Sequence, residues 1–200
     1  MWYLYKRIFI NKIMNLFKIQ NLDYEIDGRQ LFNDFSKNID ATKIYEVRGP
    51  NGSGKSTLLK IISGLIASKS VDFSEEAQDE VLYLGHKNGF VEEISLRENF
   101  KILGLSTTDE LFRKFGLLKL KNQKYFNLSF GEKRKAALIR VINSNRKIWI
   151  LDEPFAGLDA KSISILKEIF TGHLSNGGCI VIANHQEPIE QSEKIILEDQ

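Results

Sequence analysis

The sequence predicts an α/β fold in which the strands of one sheet alternate with amphipathic helices. Six short apolar runs are spread along the chain, and stretches with helical periodicity separate most of them. The runs are LFKIQNL, KIYEVRG, EVLYLG, KIWILDEP, CIVIAN and KIILED. With 200 residues, 42% of them hydrophobic, the chain is long enough to bury one core, so we expect one domain.

Three helices are predicted between these strands. One begins at Lys55, one extends from about Phe130 to Ile142, and one extends from Ala160 to His173. The last is followed by Asn176-Gly177-Gly178, residues that commonly end a helix.

A helical insertion is predicted between Gly85 and Leu128. Its segments SLRENFKIL and TTDELFRKFGLL have the pattern of short helices, and the second has an acidic start. We expect residues 14–200 to form the single domain, with a helical subdomain at about residues 86–128.

Composition and charge narrow the function classes. A net charge of +2, with Lys and Arg spread along the chain, gives no basic patch for nucleic acid. The single cysteine, Cys179, excludes an internal disulfide and suits a reducing compartment. No apolar run approaches the roughly 20 residues that span a bilayer. We therefore expect a soluble or peripheral protein.

The first 13 residues, MWYLYKRIFINKI, do not have the pattern of a secretory signal, because a continuous apolar centre and a cleavage site are missing. Met14 opens MNLFKIQNLDYEIDG, which is typical of a natural first strand. We expect residues 1–13 to be an N-terminal extension and hypothesise that they arise from an upstream false start. The intact mass of the native protein tests this hypothesis.

The segment GPNGSGKST has the spacing of a phosphate-binding loop, and it lies after an apolar strand and before a helix. Its backbone N–H groups are expected to line the phosphates, Lys55 to reach the β- and γ-phosphates, and the Ser56 hydroxyl to hold Mg²⁺. The expected ATP-binding residues are Gly49, Pro50, Asn51, Gly52, Ser53, Gly54, Lys55, Ser56 and Thr57.

The run KIWILDEP supplies acidic groups at the end of a strand, where an open α/β sheet places its ligand. Asp152 is expected in the Mg²⁺ shell, and Glu153 is expected to act as general base on a water facing the γ-phosphate. These features predict a nucleoside triphosphatase, and they fit a small kinase equally well.

The segment NLSFGEKRKAALIR favours the triphosphatase. Ser129 and Gly131 lie where a loop enters a helix, so a hydroxyl, N–H groups and the helix dipole converge on one point. Lys55 already serves the chain's own nucleotide, so this second helix start is interpreted as facing the nucleotide of another copy. Taken alone, the turn is also typical of an ordinary N-cap.

The order of these motifs resembles that of the ATP-binding cassette (ABC) ATPases, from about Leu16 to near the C-terminus. The resemblance includes the P-loop, LSFGE at 128–132 as the signature, 148–153 as Walker B, GLD at 157–159, and His185 after the last long strand. It implies an ABC-type nucleotide-binding domain with an antiparallel β subdomain and a helical subdomain.

The resemblance also implies a head-to-tail homodimer that buries two ATP molecules, each between one P-loop and the partner's signature. In that arrangement Ser129, Gly131 and Glu132 act on the opposite nucleotide, and Asp159 links the two sites across the interface. His185 holds the γ-phosphate and the attacking water. A hydrogen-bonded structural histidine is the alternative for His185 taken singly.

Four positions depart from the family pattern. The usual LSGGQ has Phe130 and Glu132 at its third and fifth places here, and Glu132 is expected to slow turnover or alter affinity. His86 stands where the family has a sensing Gln; an imidazole is a poor Mg²⁺ ligand, so direct coordination is not expected. The adenine-stacking aromatic aligns with Ile26, which leaves Tyr24, two residues earlier, as a candidate or a strand core residue.

One branch of the family gives a narrower resemblance. The segments YLGHKNG, SLRENF and LDEPFAGLD are similar to those of ATPase subunits of the haem exporter that serves cytochrome c maturation. This implies a CcmB-like integral membrane permease and a CcmC-like protein as partners, and a location on the cytoplasmic face of a bacterial inner membrane or an equivalent organelle membrane. FVEEISLRENF would be the coupling surface; the alternative is that its apolar residues pack against the sheet. Direct haem binding and nucleic-acid binding are not expected.

Three alternatives stay open. Another ABC transporter, for lipid, drug or amino acid, would use the same machinery. A soluble ABC ATPase of DNA repair or ribosome function would usually carry a long coiled coil or a second cassette. A regulatory module that binds ATP without hydrolysis would lack the base, and Glu153 is present.

Overall fold

The computed structural model describes residues 15–75, 77–105, 109–185 and 189–198. The predicted N-terminal extension and the first two residues of the predicted helix TTDELFRKFGLL lie outside these ranges. Within them, no helix is both long and apolar enough to cross a membrane.

The chain contains eight described strands and five described α-helices. In order they are β1 (Asn15–Ile26), β2 (Arg29–Asp40), β3 (Ile44–Arg48), α1 (Lys55–Ile62), β4 (Val71–Phe73), β5 (Val81–Leu84), α2 (Leu96–Ile102), α3 (Asp109–Lys114), α4 (Phe130–Ile142), β6 (Ile148–Asp152), α5 (Ala160–Ser175), β7 (Cys179–Ala183) and β8 (Glu193–Ile196). Short 3₁₀ turns lie at Gln78–Glu80, Leu118–Leu120 and Tyr125–Asn127.

The strands form two sheets. The first is antiparallel with the order β2-β1-β4, and the second has the order β5-β6-β7-β3-β8 with every pair parallel. In the second sheet β7 lies between β3 and β6, so the carboxyl ends of these three strands meet at one edge.

Both faces of the parallel sheet are covered, which explains why β6 and β7 are entirely buried and read as continuous apolar runs. One core joins the antiparallel sheet and α1 to the first face; the other packs α4 and α5 against the opposite face. A third cluster, around Phe100, Phe112 and Tyr125, belongs to the helical stretch and includes Ala136 and Ile139 of α4.

Two strands of the antiparallel sheet were absent from the six predicted runs. β2 reads RQLFNDFSKNID, and most of its side chains are exposed or half-buried, so it lacks a continuous apolar signal. β4 has only three residues. Both strands form because β1 offers backbone hydrogen-bond partners on each of its sides. This pairing depends on tertiary structure, so the local sequence pattern does not predict it.

The predicted helices are present. α4 has the predicted bounds, α1 begins at Lys55, and α5 extends two residues beyond His173. In the helical stretch, α2 and α3 occupy the two predicted segments; α2 begins at Leu96, one residue after the predicted start, and α3 is described from Asp109.

Candidate functional site

A pocket of about 400 Å³ lies at the carboxyl edge of the parallel sheet. One wall is the segment between β3 and α1, which contributes Asn51, Gly52, Gly54, Lys55, Ser56 and Thr57. The other walls are formed by Ile26, Arg29 and Leu31 of the first hairpin and by Glu153 and His185. The predicted phosphate loop, base and histidine are therefore brought together by three neighbouring strand ends.

The loop from Gly49 to Thr57 closes on itself. The Lys55 ammonium donates hydrogen bonds to the carbonyl oxygens of Gly49, at 2.8 Å, and Pro50, at 2.6 Å. The lysine is buried, so these carbonyls keep its charge solvated within the loop. A triphosphate in the loop offers the same ammonium a stronger, charged acceptor.

Helix α1 begins in a manner suited to an anion. Its N-cap, Gly54, has a φ of 92° and supplies no side-chain cap, and the first turn contains no acidic residue. The N–H groups of the first turn therefore face the pocket without a side-chain cap acceptor. A side chain at Gly54 would also meet the Phe32 ring, since a Cβ there would lie 3.0 Å from Phe32 Cζ.

Asp152 ends β6 and is 1% exposed. Its Oδ2 has no hydrogen-bond partner among the residues that the structure describes, and the imidazole Nε2 of His86 lies 3.6 Å away. A buried carboxylate oxygen without a donor fits a cation or its water shell. The described residues contain no cluster of three acidic, histidine or cysteine side chains for a metal, so phosphate and water ligands would complete such a shell.

Glu153 and His185 face each other in the pocket. His185 Nε2 lies 3.2 Å from Glu153 Oε1, and both side chains are about one-third to two-fifths exposed. The backbone of Glu153 has a φ of 49°, and its N–H donates to Ala183 O at 2.9 Å. The β7 strand end therefore holds the residue that follows Asp152 in a conformation that turns its carboxylate into the pocket.

The signature turn is a separate site. Ser129 caps α4 in a complete capping box with Glu132: the Ser129 hydroxyl and N–H both donate to Glu132 Oε2 at 2.8 Å, and Glu132 N donates back to Ser129 Oγ at 3.3 Å. Neither residue is among the described residues that line the pocket. The donors predicted to face a nucleotide are here satisfied by their own chain.

Gly131 is needed for a contact within the chain. A Cβ at Gly131 would lie 2.5 Å from the carbonyl oxygen of Gly157, and a Cβ at Gly157 would lie 2.6 Å from the Phe130 ring. The signature turn thus packs directly on the GLD segment, with the ring of Phe130 over Gly157. Phe130 itself is 64% exposed.

Asp159 caps α5 by accepting a hydrogen bond from Ser162 N at 2.8 Å. It also pairs with Lys135 of α4 at 2.5 Å. The hydrogen bond from Lys135 and, to a smaller extent, the hydrogen bond from the Ser162 N–H hold the pKa of the Asp159 carboxyl well below its usual range. The predicted interface residue is therefore ionised and fixed to the signature helix.

Arg134 was not predicted as a site residue. This residue of α4 is 3% exposed and donates to the carbonyl oxygens of Gly85, at 2.9 Å, and Glu153, at 2.9 Å, as well as to Asp152 O. Burial lowers the pKa of its guanidinium, and the nearby negative charges of Asp152 and Glu153 oppose that shift. The sequence could have pointed to Arg134, because this charged residue lies on the apolar stripe of α4 together with Ala137 and Leu138.

Tyr24 is not brought to the pocket among the described lining residues. Its ring packs with Phe32, at a centroid distance of 6.4 Å, beside the core under the antiparallel sheet. The strand-core alternative describes its position, and Ile26, half exposed, lies at the pocket instead. His86 is largely exposed and lies near Asp152 rather than among the lining residues.

Comparison with known proteins gives consistent matches. The ABC transporter family model matches residues 32–156. The cytochrome c biogenesis ATP-binding export protein CcmA of Shewanella frigidimarina is 37% identical over 80% of this chain and 82% of that protein. The CcmA protein of Colwellia psychrerythraea is 36% identical over 89% of this chain and 90% of its own length. That of Vibrio cholerae is 31% identical over 90% of this chain and 96% of its own length.

Two solved structures show the same fold. An ATP-binding subunit of an ABC transporter superposes with a TM-score of 0.78 at 24% identity, covering 91% of this chain and 85% of its own. A nucleotide-free ATP-binding cassette superposes with a TM-score of 0.76 at 17% identity, covering 93% of this chain and 88% of its own.

Proposed function

Because the chain belongs to the ABC transporter family, we propose that it is the ATP-hydrolysing subunit of a membrane transporter and works as a homodimer. The observation that carries this proposal is the pocket in which the phosphate loop, Glu153 and His185 converge. The signature turn lies outside that pocket, which supports its action on the partner's nucleotide.

The residues of the pocket divide the reaction between them. Lys55 leaves the Gly49 and Pro50 carbonyls for the β- and γ-phosphates, and the N–H groups of α1 hold their oxygens. Glu153 accepts a proton from the attacking water, and His185 keeps that water and the γ-phosphate aligned. Ser56 and Asp152 would hold Mg²⁺, which neutralises phosphate charge.

Replacement of the base separates binding from hydrolysis. Glu153→Gln keeps the shape of the side chain and removes proton acceptance, so turnover should fall by roughly 100-fold or more while ATP still binds. Gel filtration with ATP should then show a dimer that wild-type protein forms only transiently. Turnover at the wild-type rate would show that Glu153 is not the base.

Mixed dimers test whether each site uses both chains. Ser129→Arg should place a bulky group at the partner's nucleotide and leave ATP binding to its own phosphate loop intact. Mixed dimers of Ser129→Arg and wild-type chains, separated by two affinity tags, should lose one site per dimer. Full activity at both sites would contradict the shared arrangement.

For the cargo, we propose haem export for cytochrome c maturation. The support is that relatives carrying that name match over most of the chain and of their own length. The partners would be a CcmB-like permease and a CcmC-like protein, at the cytoplasmic face of the inner membrane or an equivalent organelle membrane. The exposed side chains of Val91 and Ile102, in and beside the stretch predicted to couple, are available for such a partner.

The haem proposal has its own test. A deletion strain should lack holo-cytochrome c, wild-type protein should restore it, and Glu153→Gln should not. Normal cytochrome c in the deletion strain would instead favour another transporter of the family. Tagged protein isolated from membranes in mild detergent, with its companions identified by mass spectrometry, would distinguish these partners.

A further inference from the structure

The end of the pocket beyond the phosphate loop is built by the tip of the first hairpin. Asp27 and Gly28, with φ values of 51° and 77°, form the two-residue turn between β1 and β2. Ile26 and Arg29 are therefore direct cross-strand partners, and both line the pocket together with Leu31.

The aromatic side chains of this hairpin are committed to the interior. Phe32 is 2% exposed and lies between Tyr24 and Phe35, at centroid distances of 6.4 and 6.0 Å. Its ring also supports the phosphate loop from below at Gly54. The described residues that line this end of the pocket are Ile26, Arg29 and Leu31, and none of them is aromatic, so a nucleobase there meets other side chains.

Arg29 is the polar side chain at this end of the pocket. Its Nη1 lies 3.5 Å from the position that a Cβ on Gly52 would take, which places the guanidinium beside the phosphate loop. A guanidinium is planar, weakly hydrated and stacks on ring faces. We propose that Arg29, with Ile26 beside it, is the surface on which the nucleobase lies, and that the site therefore accepts adenosine and guanosine triphosphates with similar affinity.

The second part of the proposal follows from what the side chains of this wall can recognise. Discrimination between bases needs hydrogen-bonding groups placed against the base edge. Ile26 and Leu31 have none, and stacking on a guanidinium uses the ring face that every base presents. Affinity would then come mainly from the phosphates, with a modest sequence-independent contribution from the base.

The proposal rests on the nucleotide-binding function proposed above, and calorimetric titration with three probes separates the two. The probes are ATP, GTP and inorganic tripolyphosphate, each with Mg²⁺, against wild type, Arg29→Ala, Arg29→Lys and Lys55→Ala. Wild-type dissociation constants for ATP and GTP should agree within about threefold. Arg29→Ala should weaken ATP and GTP by roughly fivefold and leave tripolyphosphate unchanged.

Unchanged tripolyphosphate binding also shows that the variant is folded. Equal weakening of all three probes would place Arg29 on the phosphates and overturn the proposal. Full ATP affinity in Arg29→Lys would show that charge suffices without the planar face, and would overturn it too, as would a strong preference of wild type for ATP. Lys55→Ala should weaken all three probes; if it weakens none, the nucleotide-binding function itself fails.

Discussion

Helices α1 and α4 both begin at places expected to meet a phosphate, and they begin differently. α1 starts at Gly54 without a side-chain cap, and Lys55 is folded onto the carbonyls of its own loop. α4 starts at Ser129, where Glu132 accepts hydrogen bonds from both the hydroxyl and the N–H of the cap.

The difference concerns what a phosphate must displace. At α1 it replaces neutral carbonyl acceptors around one lysine. At α4 it must displace a carboxylate that already occupies the donors, and it meets the negative charge of that carboxylate. The N-terminal donors of α1 have no side-chain cap acceptor, whereas the cap donors of α4 are already bonded to Glu132.

The largest effect is expected at Arg134, which joins α4 to Glu153 at the pocket. Arg134→Ala removes buried hydrogen bonds from α4 to the carbonyls of Gly85 and Glu153, of which Glu153 O still accepts from Ala156 N at 3.2 Å, and it empties a buried site, so the free energy of unfolding should fall by about 3 kcal/mol. Urea denaturation measures it. The control is Arg113→Ala, because Arg113 is exposed on α3 and its replacement should change the free energy of unfolding little. Similar urea midpoints for the two variants would mean that the bonds of Arg134 do not stabilise the fold.

The next largest effect is expected from placing a side chain at Gly54, the N-cap of α1. Gly54→Ala forces a side chain into a positive φ and against Phe32, so we expect about 1–2 kcal/mol of lost stability and a clear loss of ATP binding. Gly64→Ala is the matched control, because Gly64 has a φ of 77° with no atom near its would-be Cβ. ATP titration should show normal binding for Gly64→Ala, and normal binding by Gly54→Ala would contradict this account.

Removing the cap at α4 is expected to cost about 1 kcal/mol of stability. Ser129→Ala should also weaken ATP-driven dimerisation, because its hydroxyl is expected to reach the partner's nucleotide. Ser95→Ala is matched to it, since Ser95 caps α2 in a capping box with Glu98. The two variants should melt alike, and only Ser129→Ala should dimerise poorly in analytical ultracentrifugation with ATP.

The smallest change in stability is expected for Glu132→Gln. The amide still accepts the hydrogen bonds of the cap, so unfolding should shift by less than about 0.5 kcal/mol. The competing charge disappears, and ATP-driven dimerisation and turnover should rise several-fold. Glu98→Gln controls for a general change of charge. Unchanged turnover in Glu132→Gln would show that the capping box does not oppose the phosphate.

The sequence predicted the elements that carry a strong local pattern. The bounds of α4 could be predicted because a capping residue and an apolar stripe mark them, and the buried strands β6 and β7 because they are continuous apolar runs. The polar strand β2 could not, since its pairing with β1 is a tertiary property.

The candidate site was predictable to the extent that its residues belong to motifs. The phosphate loop, Glu153 and His185 meet in one pocket, whereas Ile26 lies there rather than Tyr24 because Ile26 pairs with Arg29 at the tip of the hairpin and Tyr24 pairs with Phe32 further from it. Arg29 and Arg134 carry no motif. Arg134 is identified only by its hydrogen bonds to the distant carbonyls of Gly85 and Glu153, and Arg29 only by its position beside Gly52.

The contact between Gly131 and Gly157 bears on how force passes through the molecule. Because Gly131 meets the carbonyl of Gly157 directly and the Phe130 ring packs over Gly157, little free space remains in this contact to absorb a small displacement. A shift of one segment by a few tenths of an ångström must move the other at once. We therefore expect the start of α4 and the loop before α5 to move together rather than independently.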